Sequence, residues 1–357
     1  MYKTVFILGA GASADAGVPV MRDFLDRARD FYSSGQLLRN ERRYFEDVFK
    51  AIHELKGASF NSNLDLNNIE AVYSAFDMGK LLGQLGSNTH NKIESLNISI
   101  QKLIGITIDL STTLTLNPKG KINVKGPYHS FVKNIKQKYK DQNSLVPSII
   151  TFNYDVALDY SLHCEYQSFS CCLDEKPEPG IIPLLKLHGS VNWGLGEHTN
   201  IIKSWNMREL LQSGLVGAPD NLRPEVPFIV ARHLQNANKN PSLGMSGPVL
   251  VPPTWSKNEH HAKIGRIWQM AAKELSEAEA IYVIGYSLPE TDMFFRFLFA
   301  LATHSESSIR RFWVFDPSQS VKNRFLSLLG PGLKDEPRFH YEQCNFIKAI
   351  QYLSENI

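Results

Sequence analysis

A doubly wound α/β fold is predicted by three features of the chain: a parallel sheet of about six strands, helices on both faces, and a helical subdomain inserted into it. Short runs recur that are apolar at every position rather than at alternate ones, as strands buried on both faces require. Helical patterns stand between them, as at Lys263 to Ala278 and Met293 to Ala302. The first run, Thr4-Val5-Phe6-Ile7-Leu8, passes directly into Gly9-Ala10-Gly11-Ala12-Ser13-Ala14, a glycine turn that opens a helix.

Bulk properties bound the class. With 357 residues, 43% hydrophobic and 21% charged, the chain can bury one large core or two modest ones. Its 38 basic and 36 acidic residues are spread along the chain, so it lacks the basic footprint of a dedicated nucleic-acid binder. No apolar stretch approaches a membrane span, and glycine interrupts the N-terminal run too early for a secretory signal. A cytoplasmic protein is expected. Cys164, Cys171, Cys172 and Cys344 lack the paired spacing of a structural zinc site and read as reduced thiols. His260 and His261 beside Glu259 point to different sides of a helix, so no metal site is expected.

Taken in order, Gly9, Gly11 and Ala14 fit the G-x-G-x-x-G/A fingerprint, in which a helix N-terminus faces a pyrophosphate. A hydride-transfer site also wants a second strand ending in an acidic residue about 20 positions on. Here Arg42 to Ile52 has helical spacing instead, which argues against a dehydrogenase. Asp23 to Phe31 reads as a helix closed by Ser33-Ser34-Gly35. Residues 36–144 read as the helical insertion, with apolar faces that include Leu81, Leu82 and Leu85, a turn at Asn117 to Gly120 and an amphipathic helix from Tyr128 to Tyr139. Residues 1–35 and 145–357 form the Rossmann-like domain.

In the second part, apolar runs end in Thr151-Phe152-Asn153-Tyr154-Asp155, His188-Gly189-Ser190, Pro252-Pro253-Thr254-Trp255, Gly285-Tyr286-Ser287 and Asp316-Pro317-Ser318. The stretch Gly194 to Gly247 reads as a long irregular insertion, of the kind that forms lids or partner surfaces. Because ligands of such sheets bind beyond the carboxyl ends of the strands, Gly9, Ser13, Asn153, Asp155, His188, Gly285, Ser287 and Asp316 should surround one ligand. Two alternatives stay open: Asn153 and Asp155 also suit the cap of a helix starting near Val156, and Trp193 and Trp255 suit either stacking on a ring or packing.

Together, Gly9-Ala10-Gly11-Ala12-Ser13 with Gly17-Val18-Pro19 and Arg22-Asp23-Phe24, then Asn153-Tyr154-Asp155, Leu187-His188-Gly189-Ser190 and Gly285-Tyr286-Ser287-Leu288-Pro289, resemble the sirtuin superfamily, and within it the SIR2-like, NAD-consuming effectors of bacterial antiviral defence. The resemblance implies that Gly9, Ala10, Gly11 and Ser13 hold a pyrophosphate, with Arg22 and Asp23 near the ribose and nicotinamide. It further implies that Asn153 and Asp155 contact the nicotinamide ribose, that His188 is the catalytic base, and that Gly285, Ser287 and Asp316 face the adenosine half. The two C-x-x-C pairs of the deacylase zinc ribbon have no counterpart here, which puts deacylation in doubt.

The implied activity is cleavage of NAD, as substrate, to nicotinamide and ADP-ribose. A neutral leaving group departs from a cation and needs no acid, so the protein must orient the ribose, stabilise the developing charge and activate a water or a ribose hydroxyl. An NAD or ADP-ribose sensing module controlling a partner, and a protein ADP-ribosyltransferase, are the alternatives. Because an unrestrained NADase would exhaust its own cell, a homo-oligomer or a controlling partner is expected, a ring-forming ATPase being the one the family suggests.

Overall fold

The computed structural model describes residues 2–58, 64–85, 90–112, 114–116, 122–124, 126–140, 146–166, 169–173, 177–196, 201–204, 245–251, 258–290, 292–304, 309–335 and 337–356. Its strands are β1 (Thr4–Leu8), β2 (Leu114–Leu116), β3 (Ile122–Val124), β4 (Ser148–Thr151), β5 (Leu184–Lys186), β6 (Gly189–Gly196), β7 (Ile202–Ser204), β8 (Met245–Leu250), β9 (Ala280–Ile284), β10 (Arg311–Phe315) and β11 (Phe339–Glu342). Six of these make one parallel sheet in the order β11-β10-β9-β1-β4-β5.

All five residues of β1 are buried because both faces of the sheet are covered. Val5 and Ile7 enter one hydrophobic core, Phe6 and Leu8 the other, as the two-residue period of a strand dictates. The core under Val5 and Ile7 takes in helices α8 (Asn258–Ser276), α9 (Met293–Ala302) and α10 (Gln319–Leu328), through Ile264, Phe295 and Phe325. That under Phe6 and Leu8 takes in α2 (Phe24–Ser34), α3 (Arg39–Ala58), α4 (Ile69–Leu82), α5 (His90–Ser111), α6 (Tyr128–Lys138), α7 (Ala157–Tyr166) and the C-terminal helix, Phe346–Asn356. Gly35 closes α2 in the left-handed conformation, φ 74°, as its place after Ser33-Ser34 predicts.

One strand expected in the main sheet lies elsewhere. The run around Val249 to Val251 forms β8, which pairs antiparallel with β6 in a separate three-stranded sheet, β7-β6-β8. The sixth place is taken by β11, an edge strand whose inner Phe339 is buried while the next three residues are half-exposed. Such a strand carries too little apolar signal to be separated from a loop by its sequence.

The helices α3 to α5 share one continuous core with the sheet: Phe45, Val72 and Ile100 belong to the same buried cluster as Phe6 and Leu8. Helix α6, counted above with residues 36–144, packs on β1 itself, with Phe131 edge-on to Phe6 at 5.1 Å. Of the three leucines singled out there, Leu85 is buried against Gly79, whereas Leu81 and Leu82 are 77% and 69% exposed. Trp193 is wholly buried, which settles it as packing; Trp255, the turn at residues 117–120 and most of the 194–247 stretch lie outside the described residues, as do the side chains of Glu259, His260 and His261. Among the described residues no helix is long and apolar enough to cross a membrane, and no group of His, Cys, Asp or Glu is placed to hold a metal ion.

Candidate active site

The sheet register aligns the carboxyl ends of five strands. Leu8 pairs with Thr151 and with Ile284, Thr151 with Lys186, and Ile284 with Phe315. The residues that follow, Gly9, Phe152, Leu187, Gly285 and Asp316, therefore leave the sheet in one row.

At its centre, β1 turns into a four-residue helix, α1 (Ala10–Ser13), and a 3₁₀ turn, Ala14–Ala16. Gly9 and Gly11 donate their amides to the carbonyls of Ile284 and Gly285, at 3.1 and 2.9 Å. Ala12 N–H turns back to the Gly9 carbonyl. A Cβ on Gly9 would lie 2.5 Å from the Gly285 oxygen, and one on Gly285, at φ +61°, would lie 2.5 Å from Ala12 N. These glycines thus serve a close approach between two backbone turns, and the amides of Gly9, Gly11 and Ala12 are already bonded within the protein. Ala10 and Gly11 are half-exposed, and Ala14 and Asp15 beyond them are exposed, while Ala12 and Ser13 are buried.

Asn153 follows β4, and its side chain is clamped against that turn. Its Nδ2 donates to the Gly9 carbonyl at 2.8 Å and to Ser13 Oγ at 2.8 Å, with Tyr128 Oη 3.3 Å away. A carbonyl can only accept, so the Gly9 contact fixes which end of the amide is nitrogen. Among the described residues Oδ1 has no hydrogen-bond partner, and it is the acceptor that Asn153 has to offer. Ser13 is fully buried, its hydroxyl 2.8 Å from that of Tyr128.

Asp155 accepts the Ala157 amide on Oδ1 at 3.0 Å, so it caps α7, the bland alternative for this residue. Its second oxygen, Oδ2, is buried without a hydrogen-bond partner among the described residues. Lys186 holds the same loop from below: its ammonium donates to the Asp155 carbonyl at 2.6 Å and pairs with Asp159 at 3.0 Å, both side chains 1% exposed. Burial raises the Asp159 carboxyl above the ordinary carboxylate range, and Lys186 pulls it partly back.

His188 leaves β5 and is 6% exposed. Its ring lies edge-on to Phe152 at 5.2 Å and tilted on Tyr154 at 6.0 Å. Phe152 stacks in turn on Tyr286, 4.1 Å between centroids and 7° between planes. Gly189, at φ +85°, lets β6 start at once: a Cβ there would lie 2.1 Å from the Val249 carbonyl. Asn153 is therefore held by the glycine turn, and His188 by the rings of Phe152 and Tyr154.

The other expected residues have these partners. Arg22 and Asp23 pair with each other at 3.1 Å, 86% and 57% exposed. Ser287 is exposed, and its carbonyl accepts from Arg324. Asp316 Oδ1 accepts the Ser318 amide at 2.8 Å, and burial raises its carboxyl above the ordinary range against the pull of that amide and of Arg324. Sequence reasoning passed over Tyr128 and Lys186. Gly126 is the signal for the first: at φ +97° it brings the backbone before α6 against Asp15, which delivers Tyr128 to Ser13. A lysine inside Leu184-Leu185-Lys186-Leu187 is the signal for the second.

No protein-family model and no curated protein matches the chain. Among solved structures it is similar to Sir2Tm bound to a propionylated peptide, at 13% identity and TM-score 0.39, over 99% of this chain and 92% of that one. It is also similar to a structure described as a basis for the mechanism and regulation of Sir2 enzymes, at 12% identity and TM-score 0.42, over 99% and 91%. A Sir2 mutant with a p53 peptide and NAD matches at 12% identity and TM-score 0.39, over 99% and 92%.

Proposed function

We propose that the protein is a SIR2-like NAD+ glycohydrolase, cleaving NAD to nicotinamide and ADP-ribose as an NAD-depleting effector of bacterial antiviral defence. The observation that carries this reading is that Asn153 and His188 follow the carboxyl ends of the paired strands β4 and β5, with Asn153 locked to the Gly9 turn. The sequence resemblance stated above supplies the substrate.

In this reading Asn153 Oδ1 accepts a hydroxyl of the nicotinamide ribose. The Asp155 carboxylate, one oxygen of which remains after capping, faces the positive charge that develops as neutral nicotinamide leaves. His188 takes the proton of the attacking water, a task suited to imidazole near neutrality. Since Gly9, Gly11 and Ala12 already use their amides, the pyrophosphate is met by the half-exposed front of the turn at Ala10 and Gly11. Activity is restrained until the chain assembles with itself or with a partner such as a ring-forming ATPase; exposed Leu81 and Leu82 support an association surface on α4.

The test is chromatography of NAD incubated with the pure protein, alone and across concentration, with mass measured in solution. Stoichiometric nicotinamide and ADP-ribose are expected. NAD bound without cleavage would replace this reading by a sensing module, label transferred to protein would replace it by an ADP-ribosyltransferase, and a strict monomer active at every concentration would remove the restraint.

A further inference from the structure

We infer that Tyr128 is the positioning residue that presets Asn153, an inference that rests on the NAD-cleaving role given to Asn153 above. The amide nitrogen of Asn153 has two hydrogens and faces three oxygens: the Gly9 carbonyl, Ser13 Oγ and Tyr128 Oη. Tyr128 and Ser13 are also bonded to each other at 2.8 Å, so the three side chains close a ring. The Gly9 carbonyl and Ser13 Oγ, each 2.8 Å from the nitrogen, take its two hydrogens, and Tyr128 Oη, 3.3 Å from the nitrogen, anchors Ser13 Oγ. The two hydroxyls fix its plane, and with it the direction in which Oδ1 meets a ligand.

Tyr128 is built for this place. It is 1% exposed and opens α6, where Gly126 permits the close approach to the 3₁₀ turn after Ser13. Its ring packs edge-on to Phe346 at 5.3 Å. Burial and the neighbouring Asp155 charge raise its phenol far above the ordinary value, so the hydroxyl stays protonated and continues to serve as a neutral hydrogen-bonding group. Among the described residues the hydroxyl bonds to Ser13 and Asn153 and the ring packs on Phe346, so the hydroxyl can be removed with that packing kept.

Tyr128→Phe is the test, read in two ways on the intact protein. Steady-state NAD cleavage should show kcat lowered about threefold to tenfold, the loss of one neutral hydrogen bond, with KM changed less than twofold. In protein labelled with [15N]asparagine, the Asn153 side-chain amide, assigned by its loss in Asn153→Asp, should exchange its hydrogens faster in the variant. Should Tyr128→Phe not fold, Ser13→Ala opens the same ring and is expected to change both readings in the same direction. An unchanged kcat well below the melting temperature, with unchanged Asn153 exchange, would overturn the inference and leave Tyr128 as packing. If the wild type cleaves no NAD, the catalytic reading fails on its own, and amide exchange still decides whether Tyr128 holds Asn153.

Discussion

Replacing Lys186 with Met tests how the loop that carries Asp155 is held. The ammonium is 1% exposed, 3.0 Å from the equally buried Asp159 carboxylate, and donates to the Asp155 carbonyl. Methionine fills a similar volume but leaves Asp159 buried with no counter-charge, a change that costs roughly 3–5 kcal/mol. The loss should depend on pH. Asp159 is already raised by burial and lowered by Lys186, so removing the lysine raises it further. A carboxyl raised in the folded state contributes stability that is fully present below its unfolded value of about 3.9 and is lost as pH rises through the folded one. The deficit of Lys186→Met should therefore be smallest near pH 4 and grow toward neutrality. Urea unfolding of the wild type, Lys186→Met and the double variant Lys186→Met/Asp159→Leu across this range measures it. The double variant, which removes the stranded charge, should recover most of the loss. A single variant within about 1 kcal/mol of wild type at neutral pH, or a double variant no better than the single, would refute the reasoning.

Gly285→Ala should destabilise the protein by roughly 2–4 kcal/mol, from the left-handed backbone and from a Cβ pressed on the Gly11–Ala12 backbone. Thermal unfolding checks it, and a midpoint equal to wild type would show that the turns can separate freely. Asp155→Ala should lose roughly 1 kcal/mol through its cap while Asp155→Asn keeps the cap, yet both should lose NAD cleavage because both remove the charge. Equal activity in Asp155→Asn and wild type would confine Asp155 to capping. Cleavage should survive exhaustive chelation, since departure of a neutral nicotinamide asks for no Lewis acid; activity lost on chelation and restored by zinc would contradict this.

Much of the fold was legible because burial on both faces leaves a strong mark: β1, β4, β5, β9 and β10 all stand as short apolar runs followed by glycine or polar residues. Confusion entered where that mark weakens. Val249 to Val251 looks like a central strand but pairs antiparallel with β6, and the half-exposed edge strand β11 looks like a loop. Register sets the strand ends before Gly9, Phe152, Leu187 and Gly285 side by side, and hydrogen bonds then bring Asn153 to Gly9 and Ser13. Nothing in the chain announced that the glycines serve Gly285 against Gly11, a contact across some 270 positions. Tyr128 and Lys186 were hidden for the same reason: their partners, Ser13, Asn153 and Asp159, are 115, 25 and 27 residues away. A tyrosine on an apolar helix face reads as core until the hydroxyl it reaches is known.

The most direct measurement of the central claim is nicotinamide release from NAD by wild type and His188→Ala, made side by side with circular dichroism of both. His188 stands on Phe152 and Tyr154, with no other histidine ring in contact with either among the described residues, and it lies beyond the paired residues of β4 and β5. Wild type should release nicotinamide, and a His188→Ala variant with an unchanged spectrum should release none above the spontaneous rate. Near-wild-type release from the folded variant would take His188 out of the mechanism, and no release from either protein, assembled or dilute, would contradict the assignment of NAD cleavage itself.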